Sequence, residues 1–230
     1  MTVSAAIAAA IANVPDAGLA AGREAMIESQ LKPCGIISTR LVVALYAVSR
    51  EDFVAPARRA LAYSDSAQAL GAGRELMPPL SLGYLLQAAA VRPEDTILII
   101  GAATGYSAAI LAQLAGSVTA LESDSVLADK ARANLAFSSA SLVEGPLEAG
   151  WPNAAPYTLI LIDGAIEMLP PSLIAQLAEG GRIAAIVVGS DGVSRAALGS
   201  KRGDSVHFEP IATAGAAVLP PFRKPAVFRF

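Results

Sequence analysis

The sequence predicts an α/β protein: a mostly parallel sheet with helices on both faces and a helical cap before it. Three observations point there. The chain has 230 residues, 54% of them hydrophobic, enough to bury a sizeable core. From residue 96 onward, short continuous apolar runs at 97–100, 159–162 and 183–188 are strand-sized and not alternating, the mark of strands buried on both faces. Between them lie segments with helical spacing, which is the βαβ rhythm.

Taken in order, residues 1–22 are small, apolar and uncharged apart from Asp16, and read as an extension with a short or frayed helix at 4–12. Met26, Ile27 and Leu31 recur at helical spacing, and Leu41, Val42, Leu45 and Val48 do so again. Pro33 and Gly35 separate these two helices. Gly71, Gly73, Pro78 and Pro79 mark an exposed loop before an apolar helix at 82–89. Strands are then expected at 96–100, 118–121, 141–143, 158–162 and 183–188, with helices at 106–114, 127–135 and 170–177. Segments 207–212 and 226–230 read as an antiparallel edge pair joined through Pro220-Pro221. No repeat or low-complexity linker interrupts the chain. It therefore divides into an extension (1–22) and one domain (23–230), with a helical cap and exposed loop at 23–90 and the α/β core at 91–230.

Composition excludes several classes. Hydrophobic content of 54% with only 16% charged residues is incompatible with disorder. Lys and Arg number 17 against 20 Asp and Glu, with no basic run longer than two, so no nucleic-acid partner is expected. No apolar run approaches the roughly 20 residues of a spanning helix, and no basic residue precedes the apolar start as in a signal peptide, so neither a membrane nor export is expected. One cysteine, Cys34, cannot form an internal disulfide, which suits the cytoplasm. One histidine, His207, leaves no His-rich metal site and little room for a Ser-His-Asp triad. Cys34 follows a proline with no histidine nearby and reads as inert. His207 reads as a surface or half-buried residue of an edge strand, and Trp151 as a packing anchor.

The chemistry-bearing stretch is the turn Gly101-Ala102-Ala103-Thr104-Gly105-Tyr106. A glycine-bounded turn between a buried strand and a helix lets backbone N–H groups approach a ligand closely. Glu122, 21 residues on at the end of the next strand, is placed to accept hydrogen bonds from ribose hydroxyls. Such turns are common and a terminal acid is often a solvated loop end, so the pair alone leaves nucleotide binding open.

Five segments sharpen it. They are Met26-Ile27-Glu28-Ser29-Gln30-Leu31 leading to Gly35-Ile36; Ala44-Leu45-Tyr46-Ala47-Val48-Ser49-Arg50-Glu51-Asp52-Phe53-Val54; the turn with its following Ser107-Ala108-Ala109; Gly150-Trp151-Pro152 with Ala155-Pro156-Tyr157; and Pro170-Pro171-Ser172-Leu173 with Gln176-Leu177, then Gly180-Gly181-Arg182. In that order and spacing the chain resembles the protein-L-isoaspartate O-methyltransferase family from about residue 26 to 230.

The resemblance implies a class I S-adenosylmethionine-dependent methyltransferase fold. Its sheet is Rossmann-like, seven-stranded and mostly parallel, with an antiparallel strand near the C-terminus. It implies S-adenosylmethionine as cofactor and S-adenosylhomocysteine as product. Gly101 and Gly105 would frame the methionine end, Glu122 would hold the ribose and Gly145 would lie beside the adenine. The implied substrates are isoaspartyl peptides or proteins, methylated on the carboxylate exposed when aspartate or asparagine isomerises. The apolar N-terminal region is a candidate surface for self-association.

The sequence departs from the family at the site. The loop G-Q-T-I-S-Q-P is here Gly73-Arg74-Glu75-Leu76-Met77-Pro78-Pro79, so Met77 replaces the serine and no catalytic residue is assigned. Ala103 replaces a glycine, at roughly 1–2 kcal/mol if its φ is positive. Ile99 replaces an acid, Gly145-Pro146-Leu147 replaces G-D-G, and Thr158 replaces an aspartate, whose part Asp163 could take in some measure. Arg74 and Glu75 read either as a solvated loop or, for Arg74, as a bidentate guide for a substrate carboxylate. These changes keep open a weak or inactive relative with a binding or regulatory role. A nicotinamide-dependent oxidoreductase fits less well, because the third glycine of G-x-G-x-x-G is missing.

Overall fold

A computed structural model describes residues 17–71 and 73–225. The expected helix at 4–12 and strand at 226–230 lie outside them.

The cap begins with α1 (Ala17–Ala25), which widens into a π-helical stretch, Met26–Leu31, and ends in the tight turn Lys32–Cys34. Gly35, at φ +88°, closes that turn, a left-handed position that favours glycine. Next come α2 (Thr39–Ala47) and α3 (Pro79–Ala89). Pro79 opens α3, where its missing N–H costs nothing. Met26, Ile27, Leu31, Leu41, Val42 and Leu45 are all buried, as their spacing predicts. The expected exposed loop at 71–79 is instead a hairpin, β1 (Gln68–Gly71) against β2 (Arg74–Leu76), in which Arg74, Leu76 and Met77 are buried.

The main sheet has seven strands: β3 (Thr96–Ile100), β4 (Ser117–Glu122), β5 (Ser141–Glu144), β6 (Tyr157–Ile166), β7 (Leu177–Val188), β8 (Ser194–Arg202) and β9 (Ser205–Thr213). Their order is β5-β4-β3-β6-β7-β8-β9. The first five pair in parallel, and β8 is antiparallel to both β7 and β9. Segment 207–212 lies inside β9 and pairs antiparallel with β8, a strand at 194–202 that the sequence does not announce; its expected partner, 226–230, lies outside the described residues. The intervening helices are α4 (Tyr106–Ala112), α5 (Ser125–Asn134) and α6 (Pro171–Gln176). Ile97 and Ile99 join one core layer while Leu98 and Ile100 join the other, the two-residue alternation of a strand covered on both sides.

The chain runs outward from β3 through β4 to β5, then returns to place β6 on the other side of β3. That reversal makes a crevice outside the carboxyl ends of β3 and β6, where open α/β sheets bind ligands. The segment after β9 crosses these ends as a strap. Val218 bridges Ala165, Leu219 N–H donates to the Ala165 carbonyl at 3.0 Å, and Ala217 N–H donates to Glu75 Oε1 at 2.7 Å.

Candidate functional site

The turn after β3 folds back on β4. The Gly101 and Ala102 N–H groups both donate to the Leu121 carbonyl, at 2.9 and 3.0 Å, and Gly105 N–H donates to Ala102 O at 2.8 Å. Gly101 (φ +76°) and Gly105 (φ +95°) are left-handed, as is Ala103 at φ +51°. The alanine that replaces the family's glycine therefore carries the expected strain. Thr104 Oγ1 donates to the Phe53 carbonyl at 2.7 Å, and Asn134 Nδ2 donates to the Thr104 carbonyl at 2.9 Å. These bonds lock the turn between the cap and α5.

Glu122 faces this turn, as the sequence reading placed it, but it is fully buried. Its Oε2 accepts from Ala103 N–H at 2.7 Å. Its Oε1 accepts from Ser123 N–H at 2.8 Å, from Asp124 N–H at 3.0 Å and from Arg74 Nη1 at 2.8 Å. Arg74 Nη2 donates in turn to the Gly101 carbonyl at 2.8 Å. Arg74 is thus neither a solvated loop residue nor free to meet a substrate carboxylate: it is 8% exposed and bound to Glu122. Sequence reasoning singled out both residues and missed that they pair, because 48 positions separate them.

Gly145 is half-buried next to β4, donating its N–H to the Glu122 carbonyl at 3.1 Å, with Leu121 and Trp151 beside it. Pro146, where the family carries an acid, is exposed, and Leu147, in place of the second glycine, is buried in the apolar core. Trp151 packs against that core, and Tyr157 OH donates to its carbonyl at 2.6 Å. Asp163, at the crevice, accepts from Ser107 Oγ at 2.5 Å. Burial pushes its carboxyl up to about 6, against the pull of Ser107, Arg74 and Arg50. It does not replace the lost acid at Thr158, whose hydroxyl donates to Asp95 near the start of β3. Arg50 is fully buried, with its guanidinium carbon 4.9 Å from the Tyr106 ring centre; Nε donates to the Ala62 carbonyl and Nη2 to the Met77 carbonyl, both at 2.7 Å. His207 and Cys34 are exposed and away from the crevice.

S-adenosylmethionine does not fit these residues as they stand. A ribose hydroxyl needs an accessible Glu122 oxygen, and both are engaged by backbone N–H groups and Arg74. Gly101 offers no open face either: a Cβ built there would lie 2.8 Å from Arg74 Nη2 and 3.2 Å from Leu219 Cδ1. The space bounded by Gly73, Arg74, Met77, Asp163 and Leu219 is only about 10 Å3, no more than one water needs. A cavity of about 330 Å3 opens on the Thr104 side, lined by Phe53, Val54, Pro56 and Lys130, and touches neither Gly101 nor Glu122.

A model of the family described as protein-L-isoaspartate(D-aspartate) O-methyltransferase matches residues 21–213. The chain is 38% identical over 197 residues to a protein-L-isoaspartate O-methyltransferase of Methylorubrum populi, covering 83% of this chain and 92% of the relative. It is 38% identical over 204 residues to that of Methylorubrum extorquens, covering 86% and 88%. Among solved structures, one protein-L-isoaspartate O-methyltransferase superposes with a TM-score of 0.73 at 20% identity, covering 86% of this chain; the chain spans 65% of that one. A second, from Plasmodium falciparum and in complex with S-adenosyl-L-homocysteine, gives 0.72 at 15% identity, covering 86% and 97%. At such identities the two structures speak for the fold.

Proposed function

The chain belongs to the protein-L-isoaspartate(D-aspartate) O-methyltransferase family, and from that membership we infer that it methylates the carboxylate exposed by isoaspartyl residues in damaged proteins or peptides, with S-adenosylmethionine as methyl donor. The observation that carries this reading is the 38% identity over 83% of the chain and 92% of a relative that bears the activity's name.

The chemistry asks little of acid–base groups. A carboxylate with an ordinary pKa near ~4 is ionised at neutral pH, so the acceptor needs no general base. That agrees with the chain's single histidine lying exposed on β9, remote from the crevice. What the protein must supply is placement and exclusion of water. The turn at 101–105 is rigidly held for such a task, and Arg50, Tyr106 and Asp163 form a buried polar wall beside it.

The test is transfer of a labelled methyl group to an isoaspartyl peptide and to its aspartyl counterpart. Label on the isoaspartyl peptide alone is the expected result, and label on neither or equally on both overturns the reading. A second reading, a fold retained without turnover, is favoured by the Arg74–Glu122 pair in the crevice. It requires that both peptides stay unlabelled.

A further inference from the structure

We propose that Arg74 is a built-in competitor for the cofactor: its guanidinium closes the crevice by binding the two groups, Glu122 and Gly101, that a nucleotide would use. The proposal rests on the cofactor assignment above and explains why the site is closed to it.

The contact is a built one. Arg74 Nη1 meets Glu122 Oε1 at 2.8 Å and Nη2 meets the Gly101 carbonyl at 2.8 Å, so one planar fork spans the acid of β4 and the turn after β3. A lysine has no such geometry. The side chains are 7% and 0% exposed, so the attraction is little screened by solvent. The backbone sets up the approach: Gly73, at φ +70°, lies next to Arg74 in the hairpin turn. Glu75 ties the same hairpin to the strap through Ala217 N–H, and Leu219 of that strap lies over Gly101. Hairpin and strap therefore close the crevice together, and Arg74 is the member that reaches the acid.

Opening costs free energy, and a ligand's apparent affinity is its intrinsic affinity multiplied by the fraction of molecules already open. Removing the guanidinium should act in opposite directions on two measurements. The ligand-free protein loses stability, because Glu122 is left buried without its counter-charge. The ligand binds more tightly, because its ribose no longer displaces an arginine. A purely structural role for Arg74 would weaken both.

The experiment is calorimetric titration of the full-length chain with S-adenosylhomocysteine, in wild type, Arg74→Ala and Arg74→Lys, alongside thermal unfolding without ligand. The expected result is at least tenfold tighter binding in Arg74→Ala despite a lower Tm, with Arg74→Lys between the two. Binding that emerges only in the variants counts the same way. If Arg74→Ala fails to fold, the Arg74→Lys comparison decides alone. Equal or weaker binding in the variants overturns the proposal, and so does a lack of binding in all three proteins. Tighter binding in a chain that labels no isoaspartyl peptide leaves the competitor standing and overturns the activity instead.

Discussion

Asp163 carries a consequence for pH. Its carboxyl is buried in the crevice, and burial lifts it from an ordinary 3.8 to about 6, only partly offset by the Ser107 hydroxyl and the Arg74 and Arg50 charges. The folded protein therefore holds a proton that the unfolded chain has already lost between about pH 4 and 6, so stability from this group falls as pH rises through that window. Above pH 6 the whole cost is present, roughly 3 kcal/mol at most. Asp163→Asn keeps an acceptor for Ser107 and removes the charge. It should raise the unfolding free energy in urea by up to that amount at pH 7 and by nearly nothing at pH 4. An equal effect at both pH values would mean that the carboxyl does not titrate there. Ala103 shows the complementary limit of single-residue reading: that glycine was replaced could be seen in the sequence, but whether φ was positive needed coordinates.

At the scale of elements, the clamp between α3, β3 and β7 depends on one ion pair. Arg182 of β7 grips Asp95 with Nη2 2.6 Å from both carboxylate oxygens, while Nη1 donates to the carbonyls of Ala89 and Ala90 at the end of α3. Burial alone would push the Asp95 carboxyl up; the Arg92 N–H, Thr158 and Arg182 outweigh it and hold the group below its ordinary value. Arg182→Ala leaves that buried carboxylate unmatched and should cost about 3 kcal/mol, read as a lowered urea midpoint. Because stability from a depressed carboxyl is lost as pH falls through its folded value, the variant should also unfold at a higher pH on acidification. The parallel strands were the most legible elements, since each is a continuous apolar run: the expected 96–100 is β3 itself. β8 was missed because its buried positions are small residues, Ala196 and Ala197, set among charges. The hairpin β1–β2 was missed because strands of four and three residues flanked by glycine and proline carry no periodicity.

At the scale of the molecule, the strap after β9 adds a further tie between the cap and the sheet at the crevice. It buries Leu219 and Phe222 and adds backbone bonds to Ala165, while Ser81 of α3 donates to the Gly215 carbonyl at 2.9 Å. Ending the chain after Thr213 removes both apolar side chains, each worth about 2 kcal/mol, so the unfolding free energy should fall by about 4 kcal/mol or more. Unchanged stability would show that the strap is an ornament on a self-sufficient core.

Local information sufficed for whatever repeats along the chain: the parallel strands, the helices between them, the glycine turn with Glu122 one strand away, and the family. Apolar periodicity and backbone conformation act over a few residues, so they are written in the order of the amino acids. Only the tertiary structure decided the pairing of Arg74 with Glu122 across 48 positions, the burial of Asp163, and the closing of the crevice by a hairpin and a strap from distant parts of the chain. Charge partners and burial are properties of neighbours in space, which folding alone brings together.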